Sequence, residues 1–304
     1  MIQNVKAHIN GQEYNLVWNE TTSKYEATIT APSVTSWHEP NNKYGVTIVA
    51  TDTAGNSTTK DRSDPTLGSK LQLRVLEKVK PTVTLSSPSS GARMTTSKPA
   101  ITFQLRDSGS GIKIETLALK LDGGTSITNT SNGMVCTSVS GGYDCVYTPP
   151  TALAEGAHTI TIQIGDNDGN TSTLLSSSFN VDTVPPALNI TNPTNGHITN
   201  NSTLTVSGTT NDTTSSPVTI TIKLNGADQG AVTVSAGAFS KAITLANGEN
   251  TIEVKATDSA GLTSTVTRTV ILDTTPPVIT DVTMVPNPVD GGATFVISVM
   301  VTDE

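Results

Sequence analysis

Apolar and polar positions alternate along most of this chain. Between 218 and 224, Val218, Ile220, Ile222 and Leu224 share one face, and Thr219, Thr221 and Lys223 share the other. A period of two belongs to a half-buried β-strand, because successive side chains leave opposite faces of the backbone. Asn225-Gly226 follows, and both residues tolerate the positive φ angles of a tight hairpin turn. GAFSKAITL and NTIEVKATD then supply two further strands. An earlier stretch repeats the plan with ITFQL (101–105), TLALKLDGG (116–124), YDCVYTPP (143–150) and HTITIQIGD (158–166). Residues 1–80 carry EYNLVW, YEATI, YGVTIVATD and KLQLRVLE. No segment sustains an apolar period of about 3.6 residues, so little helix is predicted.

The pattern repeats internally. VTIVATDTAGN (46–56), TITIQIGDNDGN (159–170) and TIEVKATDSAGL (251–262) each run from alternating apolar positions into an Asp-containing turn. VKPTVTLSSP (79–88), VPPALNITNP (184–193) and TPPVITDVTMVPNP (275–288) recur between them. Proline removes a ladder donor and fixes φ, so these segments read as boundaries leading into a new first strand. Boundaries at Pro81, Pro186 and Pro277 divide the chain into 1–80, 81–185, 186–276 and 277–304. Regularly spaced short strands with Gly, Pro, Asn and Asp turns predict sandwiches in series. The first three segments approach the ~100 residues of such a domain, and the fourth is too short for one.

Composition narrows the class. Charged residues make up 14% of the 304 positions and aromatics 4%, where ~25% charged is usual. Ser, Thr, Asn and Gly supply the polar surface instead, which suits exposed strands and turns rather than a charged disordered tail. The net charge of −8 disfavours nucleic acid, which needs cations against its phosphates. No run of ~18 apolar residues exists, so no membrane insertion by a helix is expected. The first thirty residues carry charges throughout and lack the apolar centre of a signal peptide. The expectation is a chain used without Sec export, or one cut from a longer precursor.

The Pro-Pro lead-in, the LNG or LDG hairpin, NGENTIEVKATDSAG and the closing VILDTTPP together resemble the bacterial immunoglobulin-like (Big) tandem repeats, over nearly the whole chain. The resemblance implies an all-β chain of tandem immunoglobulin-like β-sandwich domains in an elongated array, with short Pro-Pro connections as semi-rigid spacers. It also implies a mechanical or adhesive role. The leading expectation is a phage or prophage tail-associated fibre or decoration protein, located in the virion. The alternative is a bacterial cell-surface adhesin or extracellular filament component, and the third is an accessory carbohydrate-binding module. Implied partners are other virion or surface-assembly subunits and a cell-surface glycan. No cofactor is implied.

Candidate chemistry is sparse. His8, His38, His158 and His197 are scattered, no HExxH or GxSxG occurs, and no nucleophile–base pair can be named, so catalysis is not expected. Asp52, Asp166, Asp168 and Asp258 lie in turns, and Asp182 and Asp273 stand just before proline boundaries. Calcium takes several carboxylate and carbonyl oxygens. Asp166 and Asp168, with Asn167 and Asn170, are the candidate calcium ligands. The competing explanation is an Asx-turn, in which each Asp accepts backbone N–H groups. One Asp per turn is too few for an autonomous site, and the glycine and terminal glutamate of an EF-hand loop are missing.

Cys136 and Cys145 flank TSVSGGYD. A hairpin at Gly141-Gly142 sets them side by side, as a disulfide or, in a reducing cytoplasm, as two thiols. Trp18 is predicted to pack in a core. Trp37, in the loop-like SVTSWHEPNN, is the candidate for ligand contact. In 277–304, VITDVTMVP and ATFVISVMVTDE predict two strands, with Phe295, Ile297, Val299 and Val301 on one face. A lone hairpin is marginal in water, and this one has acids at Asp281, Asp290, Asp303 and Glu304 but no Lys or Arg. It is therefore expected to be an assembly segment, completed by a neighbouring subunit or by a continuation of the chain.

Overall fold

The computed structural model describes residues 1–303, so Glu304 lies outside the described residues. The chain forms two compact units, one spanning Met1–Val181 and one beginning at Asp182.

In the first unit, β1 (Ile2–Ile9), β2 (Gln12–Asn19), β3 (Lys24–Glu26), β4 (Tyr44–Asp52) and β5 (Ser57–Lys60) pair in the order β3-β2-β1-β4-β5. β6 (Gln72–Leu73) pairs with the start of β4. Val5, Ala7 and Ile9 form the buried face of β1, and Ile9 packs with Tyr44 and Val75. Residues 1–80 are therefore one sheet with a small core rather than two facing sheets. β1 was not among the strands expected from the sequence, and KLQLRVLE is a strand only at Gln72–Leu73. The cause lies in the backbone of Val75, whose carbonyl accepts from Ser36 N at 3.0 Å and whose N–H donates to Ser36 Oγ at 3.0 Å. A loop, not a neighbouring strand, satisfies that segment.

A two-sheet sandwich follows, with β7 (Thr82–Ser87), β8 (Arg93–Met94), β9 (Ile101–Arg106), β10 (Ile112–Leu121), β11 (Met134–Val139), β12 (Gly142–Tyr147), β13 (Gly156–Asp166) and β14 (Leu175–Val181). Its sheets run β10-β13-β14-β8 and β11-β12-β9-β7. Ile101, Phe103 and Leu105 of β9 meet Ile160, Ile162 and Ile164 of β13 and Phe179 of β14 in one buried cluster. The period of two on each strand thus supplies both inner faces.

The second unit repeats the plan with β15 (Ala187–Asn192), β16 (His197–Thr199), β17 (Thr203–Asn211), β18 (Thr219–Leu224), β19 (Ala227–Asp228), β20 (Val234–Ser235), β21 (Ala238–Thr244), β22 (Gly248–Thr257) and β23 (Thr263–Leu272). The sheets are β15-β17-β21-β20 and β16-β23-β22-β18-β19. Val218, Ile220, Ile222 and Leu224 are all buried, as their alternation requires. Beyond this sandwich, β24 (Val278–Val285) and β25 (Val296–Thr302) form an antiparallel pair in which every residue from Thr274 to Asp303 is exposed.

The β18–β19 turn has Asn225 at φ 50° and Gly226 at φ 84°. A β-branched side chain is strained at such a φ. Gly226→Val is expected to destabilise this sandwich by about 1–3 kcal/mol, read from its urea midpoint. An unchanged midpoint would show that the turn does not hold this conformation in solution.

Candidate metal centres

Both complete sandwiches bring three carboxylates together at one end. In the first unit these are Glu77, Asp107 and Asp166; in the second they are Asp182, Asp212 and Asp258. Within each set, ligand oxygens lie within 4.8 Å of one another. The first member stands in the lead-in, four residues before Pro81 or Pro186. The second follows the last residue of the second long strand, β9 or β17. The third stands where the strand meets the Asp-containing turn, as the last residue of β13 or directly after β22.

The turn chemistry is shared but incomplete. Asp52 Oδ1 accepts from Ala54 N and Asn56 N, and Asn56 Nδ2 donates to Asp52 Oδ2 at 2.9 Å. Asp166 has the same arrangement with Asn170, whose N and Nδ2 donate at 2.8 and 2.7 Å. Asp258 Oδ1 accepts from Ala260 N and Leu262 N. Leu262 occupies the place of that asparagine and has no side-chain donor, so Asp258 Oδ2 is buried without a hydrogen-bond partner. Asp182 Oδ1 accepts from Val184 N at 3.2 Å, while its Oδ2 is likewise buried and unpartnered. Asp212 Oδ1 accepts from Thr214 N and Ser215 N.

In the first unit, Asp107 Oδ2 accepts from Gly109 N and Gly111 N at 3.1 and 2.6 Å, and its Oδ1 is buried without a partner. Burial holds the Asp107 carboxyl above its ordinary value; the Glu77 and Asp166 charges add to the rise, and the Gly111 and Gly109 amides oppose it. Glu77 accepts from Ser110 N. A Cβ on Gly109 would stand 1.5 Å from Glu77 Oε2, so the loop closes over this carboxylate only because that residue is glycine. Two unit charges at ~4 Å repel by about 4 kcal/mol even at an effective dielectric near 20. Such a set needs protons or a cation.

Of the two expected calcium ligands, Asp166 belongs to a cluster and Asp168 does not. The Asp168 carboxylate accepts from Thr35 Oγ1 and from Glu77 N, and lies 3.8 Å from Arg74 Nη2. Glu77, Asp107 and Asp212 were not singled out from the sequence. Their signal is a fixed interval, because Glu77 to Asp107 and Asp182 to Asp212 both span 30 positions.

The remaining candidates are dispersed. Cys136 and Cys145 are paired across β11 and β12 as a disulfide. Trp37 is half-buried, and its N–H donates to Thr35 Oγ1 at 3.1 Å. Trp18 is not a core residue. It is 45% exposed and packs edge-on against Tyr25, 5.3 Å away across the β2–β3 pair, because the sheet of residues 1–80 has no second sheet to cover it. Phe295, Ile297, Val299 and Val301 are exposed on the terminal hairpin.

His158 is the one histidine set among acceptors on both ring nitrogens. Nδ1 meets Asp122 Oδ2 at 2.7 Å and Nε2 meets the Ala154 carbonyl at 2.9 Å. Neither oxygen can donate, so the doubly protonated ring fits. Burial lowers the His158 pKa, but the Ala154 and Asp122 hydrogen bonds and the Asp122 charge outweigh it and raise the value overall. A raised folded pKa contributes stability that is complete below the unfolded value of about 6.5 and is lost as pH rises through the folded one. The urea midpoint of this sandwich is expected to fall between pH 6 and pH 9, and His158→Gln to flatten that dependence. An identical pH profile in the variant would contradict this.

Two segments of the chain match known domain families. Residues 81–162 match the bacterial Ig domain family, and residues 186–274 match glucodextranase domain B. No curated protein matches the chain. Among solved structures, the fibronectin(III)-like modules of Clostridium thermocellum CbhA are 16% identical, with 63% of this chain and 94% of that one covered and a TM-score of 0.37. Rst D1-D2 is 13% identical, over 63% and 99%, with a TM-score of 0.37. Drosophila OTK extracellular domains 3–5 are 10% identical, over 88% and 85%, with a TM-score of 0.29. The chain thus carries two successive immunoglobulin-like β-sandwiches, the first similar to the bacterial Ig domain family and the second to glucodextranase domain B.

Proposed function

We propose that this is a non-enzymatic structural protein, a phage or prophage tail-associated component that displays immunoglobulin-like sandwiches. The observation that carries the reading is the repeat itself: two sandwiches are filled mostly by aliphatic side chains, and a hairpin then starts the same plan again. Pairing of Val278 with Thr302 corresponds to Thr82 with Arg106 and Ala187 with Asn211. A repeat of this kind serves as spacer and scaffold. The test is immunogold labelling with antibodies to the chain. Label on tails of purified virions is expected; label on envelopes of uninfected cells, with none on virions, would overturn the tail assignment.

That second outcome is the adhesin or filament reading; the Cys136–Cys145 disulfide fits display outside the cell under either reading, since such bonds persist at virion and cell surfaces. Under either reading, assembly partners engage the terminal hairpin. Its apolar side chains and open edges suit strand addition from a neighbouring subunit. Deleting residues 278–304 is expected to abolish self-association measured by sedimentation velocity. Unchanged association would exclude the hairpin as the docking segment.

A further inference from the structure

We propose that Glu77, Asp107 and Asp166 form one calcium centre and that Asp182, Asp212 and Asp258 form a second, each clasping the lead-in of a sandwich to both of its sheets. The inference does not depend on where the chain is displayed. Its first support is position. β9 and β13 belong to opposite sheets, as do β17 and β22, so each cluster joins three segments that no single sheet ladder connects. The same three places are used in both sandwiches, with the same interval of 30 positions between the first two ligands.

The second support is unmet hydrogen bonding. Asp107, Asp182 and Asp258 are 7%, 0% and 6% exposed, and each keeps one carboxylate oxygen buried with no donor. A buried carboxylate oxygen left bare is costly, and three such atoms fall in the two clusters. A cation satisfies them together and removes the mutual repulsion. The donor set is all oxygen, which suits a hard ion rather than zinc. Calcium accepts irregular geometry and completes its shell with carbonyls and water, whereas magnesium demands a near-ideal octahedron.

The register also marks a third pair. Asp273 stands four residues before Pro277, and Asp303 follows it by 30 positions, directly after the β25 residue paired with Val278. Asp273 Oδ1 accepts from Thr275 N, as Asp182 Oδ1 does from Val184 N. This pair has only two carboxylates, so the chain is expected to bind two calcium ions and not three.

The experiment is isothermal titration of the chelator-stripped full chain with calcium chloride, alongside melting in calcium and in chelator. Two ions are expected. Saturating calcium, at 100 times the dissociation constant, is expected to raise melting by about 10 °C, and magnesium at the same concentration by much less. Asp107→Asn and Asp258→Asn keep the shape of the turn and can still accept its N–H groups. Each is expected to remove one ion and the calcium-dependent rise of its own sandwich, while melting at or above the wild type in chelator because repulsion is relieved. A purely structural aspartate would instead lower melting in both conditions. If these variants do not fold, Glu77→Gln and Asp182→Asn in the lead-ins take their place. Fewer than two ions, equal stabilisation by magnesium, or two ions retained when Asp107→Asn and Asp258→Asn are combined would overturn the proposal.

Discussion

Phe179→Ala is expected to destabilise the sandwich of residues 81–181 by about 3–5 kcal/mol. Phe179 is fully buried on β14, in the same cluster as Ile160, Ile162 and Ile164 of the neighbouring β13 and Phe103 of the facing sheet. It also packs against the His158 ring, with centroids 5.5 Å apart. Truncation removes aromatic burial and leaves a cavity between strands that are hydrogen-bonded in register, His158 opposite Phe179. A ladder fixed in this way cannot collapse to refill the space. Urea denaturation measures the loss; less than about 1 kcal/mol would mean that the ring is not in the core.

Gly208→Val is expected to cost the second unit about 3 kcal/mol or more, by overpacking rather than by a void. Gly208 lies in the centre of β17, opposite Ile190 on one side and Phe239 on the other. A Cβ there would stand 2.2 Å from the Asn189 carbonyl oxygen and 2.6 Å from Phe239 Cζ. The first contact is backbone of the paired strand, and the second is a ring only 3% exposed, so neither can move aside cheaply. Relief requires β15 to separate from β17, which breaks ladder bonds in a sheet that also builds the core. Wild-type stability in this variant would show that β15 is loosely held.

The strands most legible in the sequence were those with strict alternation and explicit turns. Val218 to Leu224 with Asn225-Gly226 has both, and the structure buries the expected face. Gly141-Gly142 likewise set the register that opposes Cys136 to Cys145. Residues 70–77 alternate like a strand, but only Gln72–Leu73 finds a strand to pair with. Trp18 misled because core packing presumes a second sheet, and residues 1–80 present only one.

The carboxylate centres were half legible. The Asp166 and Asp258 turns each hold one member of a cluster, and a single Asp per turn looks like ordinary turn chemistry, which it also is. The other two ligands come from segments far away in sequence, so only the closed sandwich shows that the three converge. The clue was in plain view as the spacing from Glu77 to Asp107 and from Asp182 to Asp212. It carries meaning only once β9 and β17 are seen to end at the same place as their lead-ins.

The central claim is that the chain is built of serial sandwiches, each with its own core. Differential scanning calorimetry of the full chain, with Phe179→Ala and Gly208→Val as separate markers, tests it most directly. Two cooperative transitions are expected, one lowered only by Phe179→Ala and the other only by Gly208→Val. A single transition displaced by both substitutions would contradict the claim.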